Sequence, residues 1–357
     1  MTDKKRILIV MGRFAIGGGE NMVYELIKQL DRSKYEIMVL CTGCPIHNSL
    51  EQSVIGLVPI SYLNFTGKLT VHKVLRFFRT VQKLNPDLIH SHLGGNAYTL
   101  PWATITNARL IVTAHTTPEK AFSRLSEKFV RILLKRKNFT LVAVSSENQK
   151  KMLKYFATST EKCKVINNGI DLSRFYHIKH KGFNFINVAR QDENKNQASI
   201  VRAFAKIHKC NPETGLILLG DGPEHEKLKA LVSELGIDDC VYIPGNISDT
   251  EKFYATSDCY VQSSHREAMP LSVLEAMASG LPIVTTDVGG LKDVVSDNGY
   301  LVENNENRLL DAMDAILRLK PAERAAMQES SLRIVEEYSS TTMADQYTEL
   351  YEDATNN

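Results

Sequence analysis

Short apolar runs alternate with amphipathic stretches from one end of this chain to the other. Arg6–Met11, Tyr35–Cys41, Leu88–Ser91, Leu110–Ala114 and Leu141–Ser145 are nearly continuous in apolar residues, the pattern of strands covered on both faces. Helical periodicity falls at about 20–31, 71–85, 95–106, 123–137 and 147–156. The alternation then restarts. Strands are predicted at Asn184–Ala189, Gly215–Leu219, Val241–Ile243, Cys259–Gln262, Pro282–Thr285 and Gly299–Val302. Helices follow at about 195–209, 223–235, 250–256, 271–279 and 306–319, and two more, 321–337 and 340–354, close the chain. A polar stretch around 170–183 separates the halves as a linker. Strand–helix alternation of this kind predicts an α/β protein of two doubly wound parallel sheets, residues 1–168 and 169–335, facing across a cleft. Such sheets bind ligands at the carboxyl ends of their strands.

The length agrees, because 357 residues exceed the roughly 250–300 that one core fills. No apolar run approaches the roughly 20 residues of a membrane span. Lys4-Lys5-Arg6 precede an apolar run that stops at Gly12-Arg13, too short for a secretory leader; it reads as a first strand in a cytoplasmic protein. Of the six cysteines, only Cys41-Thr-Gly-Cys44 has redox or metal spacing, and without a second such pair it reads as two free thiols at a strand end. The net charge of +2 conceals an asymmetry. Residues 1–165 hold 25 Lys and Arg against 11 Asp and Glu, a net +14, and the remainder holds 18 against 30, a net −12. Two domains with different partners fit that division.

Candidate chemistry gathers at predicted strand exits. In Glu267-Ala268-Met269-Pro270-Leu271-Ser-Val-Leu-Glu275, Pro270 suits the first turn of a helix that Gly280 and Pro282 end. Glu267 then lies before the helix and Glu275 within it, beside free N–H groups that suit a phosphate. Two solvated surface glutamates are the plain alternative. Gly12-Arg-Phe-Ala-Ile-Gly17-Gly18-Gly19-Glu20 follows the first strand and opens a helix. It matches neither a Walker A loop nor Gly-x-Gly-x-x-Gly, and it serves either a ligand phosphate or a tight connection. His115 ends a strand, as a ligand contact or a structural histidine; His90 and His92 read as support for the cleft floor. Arg190 and Lys195 leave the first strand of the second half, where a guanidinium fork and a point charge suit a diphosphate as well as solvent. Gly220-Asp-Gly222-Pro-Glu224 lines a pocket or simply turns the chain. The chain contains no Asp-x-Asp, so cationic side chains rather than a divalent ion would neutralise a leaving diphosphate; no metal and no cofactor are expected.

Two segments pair long cations with apolar residues: Thr70-Val-His-Lys73-Val-Leu-Arg76-Phe-Phe-Arg79, and the stretch holding Lys128, Arg131, Lys135, Arg136 and Lys137. Each is an ordinary helix with a solvated face or an interfacial helix on anionic lipid. With +14 on one half the expectation is contact with an anionic membrane surface. Nucleic acid is not expected, because no stacking platform or nucleic-acid module occurs.

Taken in order, Gly17-Gly18-Gly19-Glu20, His115, Arg190…Lys195, Gly220-Asp-Gly222-Pro-Glu224 and Glu267…Glu275 resemble the motifs of the retaining family-4 glycosyltransferases across nearly the whole chain. The resemblance implies two Rossmann-like domains facing across a cleft (GT-B), an acceptor-binding domain 1–168 and a nucleotide-sugar-binding domain 169–335, with 336–357 crossing back to the first. It implies that Glu275 holds the nucleotide ribose, and that Glu267 and the amides of Ala268, Met269, Pro270 and Leu271 hold the donor sugar. Arg190, Lys195 and the Gly17 and Gly18 amides would stabilise the diphosphate, and His115 would position the reacting carbon. A UDP-sugar donor, a lipid-linked or polymeric glycan acceptor in cell-surface polysaccharide synthesis, and a peripheral place on the inner face of the cell membrane complete the expectation. A nucleotide-sugar epimerase of the same fold, or a non-catalytic sugar-nucleotide-binding subunit, remains open. Ala268 stands where the family often has glycine, and Gly289-Gly290-Leu-Lys292-Asp293 departs from its Gly-Gly-x-Pro-Glu.

Overall fold

The computed structural model describes residues 4–15 and 17–356; Met1–Asp3, Ile16 of the glycine-rich turn and Asn357 lie outside the described residues. The chain divides into two compact units, 1–169 with 340–357, and 170–339.

The first unit carries seven parallel strands, β1 (Lys5–Met11), β2 (Tyr35–Cys41), β3 (Ile60–Tyr62), β4 (Leu88–His92), β5 (Leu110–Ala114), β6 (Phe139–Ala143) and β7 (Cys163–Val165), in the order β3-β2-β1-β4-β5-β6-β7. Apolar residues on both faces drive the double winding. In β1, Ile7, Ile9 and Met11 enter one core while Leu8 and Val10 enter the other. Helix Gly18–Gln29 covers the first face with Met22, Val23, Leu26 and Ile27. Helices Val71–Leu84 and Arg124–Leu133 cover the second through Phe77, Val81, Val130 and Leu133, their first turns capped by the hydroxyls of Thr70 and Ser123.

The second unit carries six parallel strands, β8 (Phe183–Val188), β9 (Thr214–Leu219), β10 (Val241–Gly245), β11 (Cys259–Gln262), β12 (Ile283–Thr286) and β13 (Gly299–Val302), in the order β10-β9-β8-β11-β12-β13. Its two cores are centred on Tyr254, Tyr260, Leu274 and Met277, and on Phe185, Phe204, Leu218 and Met313. The polar stretch around 170–183 is no slack linker. Leu172–Arg174 form a 3-10 turn, Phe175 is buried, and Ile170 bridges to Ser339.

Helix Ser340–Asn356 belongs to the first unit. Met343, Tyr347 and Tyr351 enter its core, and Tyr351 Oη lies 2.6 Å from His90 Nδ1 while Tyr347 Oη lies 2.9 Å from Thr113 Oγ1. Its four acidic residues, Asp345, Glu349, Glu352 and Asp353, reduce the charge of that unit from +14 to +10 and leave the other at −8.

Strand order reverses between β1 and β4 in the first sheet and between β8 and β11 in the second. These are the switch points at which the loops part and leave a crevice.

Candidate active site

In the second unit the loops after β8, β9 and β11 are laced together by backbone bonds and by the side chains of Asn194 and Ser263. His265 N–H donates to Asn194 O (2.7 Å), and Asn194 Nδ2 to Arg266 O (2.9 Å). Ser263 Oγ donates to the carbonyls of Lys195 and Asn196 at 3.0 and 2.7 Å. On the other side Gln191 N–H donates to Asp221 O and Glu224 N–H to Gln191 O, both at 3.0 Å. This close approach requires Gly220: its φ is +122°, and a Cβ there would stand 2.0 Å from Ala189 O. A pocket lined by Asp192, Glu193, Asn194, Pro223, Glu224, His265 and Arg266 opens among these loops.

The lacing brings two of the expected residues together. Lys195 Nζ donates to Glu267 Oε1 at 2.5 Å, with the two side chains only 20% and 10% exposed. A charge pair that far from water has real Coulombic weight, and removing either partner strands the other. Gln262, the last residue of β11, reaches the same carboxylate oxygen at 3.5 Å. Glu267 is also held from behind, because Gly290 N–H donates to Ala268 O (2.7 Å) and a Cβ on Gly289, whose φ is +62°, would meet Glu267 O at 2.2 Å. The departure from the family's Gly-Gly-x-Pro-Glu therefore spares the glycines that seat the loop.

Helix Leu271–Ala278 starts where the periodicity placed it, with Pro270 as its N-cap (φ −75°, ψ 126°) rather than a first-turn residue. Met269 and Leu271 are buried on either side, which leaves the loop's amides at the helix end. Glu275, one turn in and half-buried, accepts from Tyr254 Oη at 2.9 Å. Burial first, then the carboxylate of Glu275, keeps the Tyr254 phenol well above its ordinary range, so it remains a donor. Arg190 is apart from this group: its side chain is 71% exposed and its Nε lies 3.8 Å from Asp192.

The corresponding edge of the first unit holds Gly17, Gly18 and His115. Gly17 caps helix Gly18–Gln29 without a side-chain bond, and a Cβ on Gly19 would stand 3.3 Å from His115 Nδ1. His115 Nε2 lies 3.0 Å from His92 Nδ1, and His90 packs on His92 with ring centroids 3.9 Å apart. Burial pushes His115 down to about 4, and burial with the neighbouring imidazoles lowers His90 and His92 well below the ordinary histidine value, so all three are neutral at pH 7. His90 is a satisfied core histidine between Tyr351 and Thr113. His115 Nδ1 is buried without a hydrogen-bond partner, a polar atom awaiting one.

Lys128, Arg131, Lys135 and Lys137 are exposed. Arg136 is not: half-buried, it donates to the carbonyls of Ala103, Thr104 and Thr106 and closes the end of helix Asn96–Ile105. Cys41 is buried, its thiol pushed up to about 12 by burial, while Cys44 is exposed; both are free. Sequence reasoning missed Gln262 and Tyr254. A polar residue ending an apolar strand marks Gln262, whereas nothing local marks Tyr254, which meets Glu275 only through packing.

Residues 168–333 match the family model described as glycosyl transferases group 1, and residues 16–174 match that of glycosyltransferase family 4. An uncharacterized glycosyltransferase of Methanocaldococcus jannaschii is 25% identical over 60% of this chain, which spans only 59% of that relative's length. The N-acetylgalactosamine-N,N'-diacetylbacillosaminyl-diphospho-undecaprenol 4-alpha-N-acetylgalactosaminyltransferase of Campylobacter jejuni is 26% identical over 84% of this chain and 87% of its own. Among solved structures, a glycosyltransferase of Rickettsia africae superposes with a TM-score of 0.86 at 20% identity, covering 99% of this chain and 100% of that one. Anabaena HepE in complex with UDP gives 0.81 at 19%, covering 97% and 99%. Both structures share the GT-B fold with this chain.

Proposed function

This chain belongs to the group 1 and family 4 glycosyltransferases, and from that membership we propose that it moves a sugar from UDP to a lipid-linked or polymeric glycan acceptor, with retention and without a metal ion. The observation that carries the proposal is the Lys195–Glu267 pair at the β8/β11 switch point, beside the amino end of a helix that bears Glu275. Glu267 holds Lys195 in one place and leaves two ammonium protons for diphosphate oxygens, whose charge grows as the glycosidic bond breaks. Arg190, free to swing, adds a bidentate contact on that anion. The amides of 268–271 and Glu267 receive the sugar, Glu275 the ribose hydroxyls, and Gly220 and Gly222 let the nucleotide approach the backbone. His115, neutral and with an open nitrogen, orients the sugar near the reacting carbon, and the Gly17 and Gly18 amides add donors to the diphosphate. Support for UDP and for a lipid-linked acceptor comes from the UDP complex of HepE and the diphospho-undecaprenol named for the Campylobacter relative.

Among the described residues no helix is long and apolar enough to cross a membrane, and on this proposal an acceptor held in lipid is met at the membrane surface. Helices Val71–Leu84 and Arg124–Leu133 lie on the same face of the first sheet. Val71 (76%), Leu75, Ile105 (74%), Leu125 and Ile132 are exposed there, and Lys128, Lys135 and Lys137 make no ion pair among the described residues. Apolar side chains beside unpaired cations suit peripheral binding to the anionic inner face of the cell membrane, with each cation contributing about 1 kcal/mol. Replacing Lys128, Arg131, Lys135 and Lys137 should abolish cosedimentation with phosphatidylglycerol vesicles, and undiminished cosedimentation would remove the membrane from the proposal.

The donor is tested by melting the protein with UDP and with GDP. At a hundredfold excess over its dissociation constant UDP should stabilise by about 2.7 kcal/mol, and Glu275→Ala should lose the effect. Product analysis on a UDP-sugar then separates transfer from epimerisation and from binding alone.

A further inference from the structure

The segment that enters the second sheet contains His177-Ile-Lys-His180, and its two imidazoles meet Asp258. One ligand-type atom from each lies within 4.8 Å of the other two. The site sits at the amino edge of the sheet, since His180 precedes β8 and Asp258 precedes β11, its neighbour through Cys259 and Phe185. It is thus at the opposite end of these strands from Lys195 and Glu267.

Three features distinguish this cluster from a chance ion pair. First, the residues are fixed by backbone: Asn184 N–H donates to Asp258 Oδ2 (2.8 Å) and Ile178 N–H to Ala255 O (2.8 Å). Second, each imidazole has one nitrogen against a carbonyl, His180 Nδ1 at 3.1 Å from Lys181 O and His177 Nε2 at 3.2 Å from Ser257 O. Those carbonyls take the ring protons and leave a lone pair on each remaining nitrogen, the arrangement by which backbone orients metal-bound histidines. Third, His180 Nε2 is buried and makes no hydrogen bond, although Asp258 Oδ2 is only 3.2 Å away. A lone pair facing a carboxylate at that distance is repulsive unless a proton or a cation lies between them, and the hydrogen bond that a proton would make is absent. Ligand atoms around a tetrahedral ion with bonds of about 2.0–2.1 Å stand roughly 3.4 Å apart, close to this separation.

We propose that His177, His180 and Asp258 form a site for one divalent transition cation of the zinc class, which staples the entering segment to the start of β11. Two nitrogen ligands and one oxygen favour that class over magnesium or calcium, and a water completes the coordination. The ion takes no part in sugar transfer, and its site stands independently of the donor assignment.

The test uses tag-free, full-length protein stripped of metal and titrated with zinc chloride against a chromophoric chelator, with melting curves in parallel. One zinc per chain and a higher melting temperature are expected, whereas magnesium should leave the curve unmoved. His177→Ala, at an exposed position where the fold is not at risk, should weaken zinc binding more than about tenfold. Asp258→Asn should do the same, and Cys44→Ser should not. Absence of stoichiometric zinc in the parent, or unchanged affinity in His177→Ala and in a folded His180→Gln, would overturn the proposal.

Discussion

The two sheets present their carboxyl edges differently. In the second unit the switch point is charged: Lys195 against Glu267, Glu275 under Tyr254, and Arg190 in solvent. In the first it is neutral, made of glycines and of His115 on His92, with burial disfavouring the charged form of the rings. On the proposed function the same doubly wound scaffold serves two electrostatic tasks. A leaving diphosphate needs fixed countercharge, and a sugar hydroxyl near the reacting carbon needs a neutral hydrogen-bonding partner whose state does not change with pH. The charged edge is expensive to build, since each ion there depends on its partner, whereas the neutral edge depends on exclusion of water.

The sharpest way to break this contrast is to remove one charge from the second edge. Lys195→Ala should lower kcat by at least about 10²–10³-fold, because it deletes stabilisation that grows in the transition state and leaves Glu267 uncompensated. Circular dichroism should show an intact fold, and near-normal turnover would dismiss Lys195 as the diphosphate contact. Next in size is Glu275→Ala. Loss of a charged hydrogen-bond acceptor costs about 1.5–3 kcal/mol, so UDP affinity should fall roughly 10- to 150-fold in calorimetry. Unchanged affinity would place the ribose elsewhere.

How far these edges could be read from sequence follows the same division. The apolar runs that became β5 and β11 were legible to the residue, because a strand buried on both faces leaves no polar alternation to confuse its ends, and β2 and β13 were legible to the residue from their apolar runs alone. β3 and β7 escaped, being three-residue edge strands with too little pattern to detect. Helix Ser49–Ile55 escaped as well: its stability rests on Asn48 capping and on buried Glu51 accepting from the amides of Ile46 and His47, contacts that leave no periodicity. In the site, spacing identified Lys195 and Glu267 individually, but their meeting depends on Ser263 and Asn194 lacing two loops 70 residues apart. The same limit explains Arg136, which in sequence is one cation of a basic run and in the fold is a cap on a neighbouring helix.

On the neutral edge smaller effects are expected. His115→Ala should reduce kcat about tenfold or more while UDP affinity stays within twofold, since the proposed ribose contact, Glu275, belongs to the other unit. Equal losses in both would merge the two edges into one nucleotide site.

The finest distinction is in pH dependence of stability. His115 has its folded value pushed down to about 4, against about 6.5 in the unfolded chain, and His90 and His92 shift in the same direction. For histidines kept neutral by the fold the sign is fixed: stability is complete above pH 6.5 and is lost as pH falls from 6.5 toward 4, because only the unfolded chain takes up the protons. Each such histidine contributes at most about 1.4 kcal/mol per pH unit, so the melting temperature should drop by a few degrees between pH 6.5 and 5. His115→Gln should flatten that slope, and Lys128→Met, at an exposed position, should leave it as it was. A slope unaffected by His115→Gln would mean that the neutral edge admits protons after all, and its difference from the charged edge would then lie in shape alone.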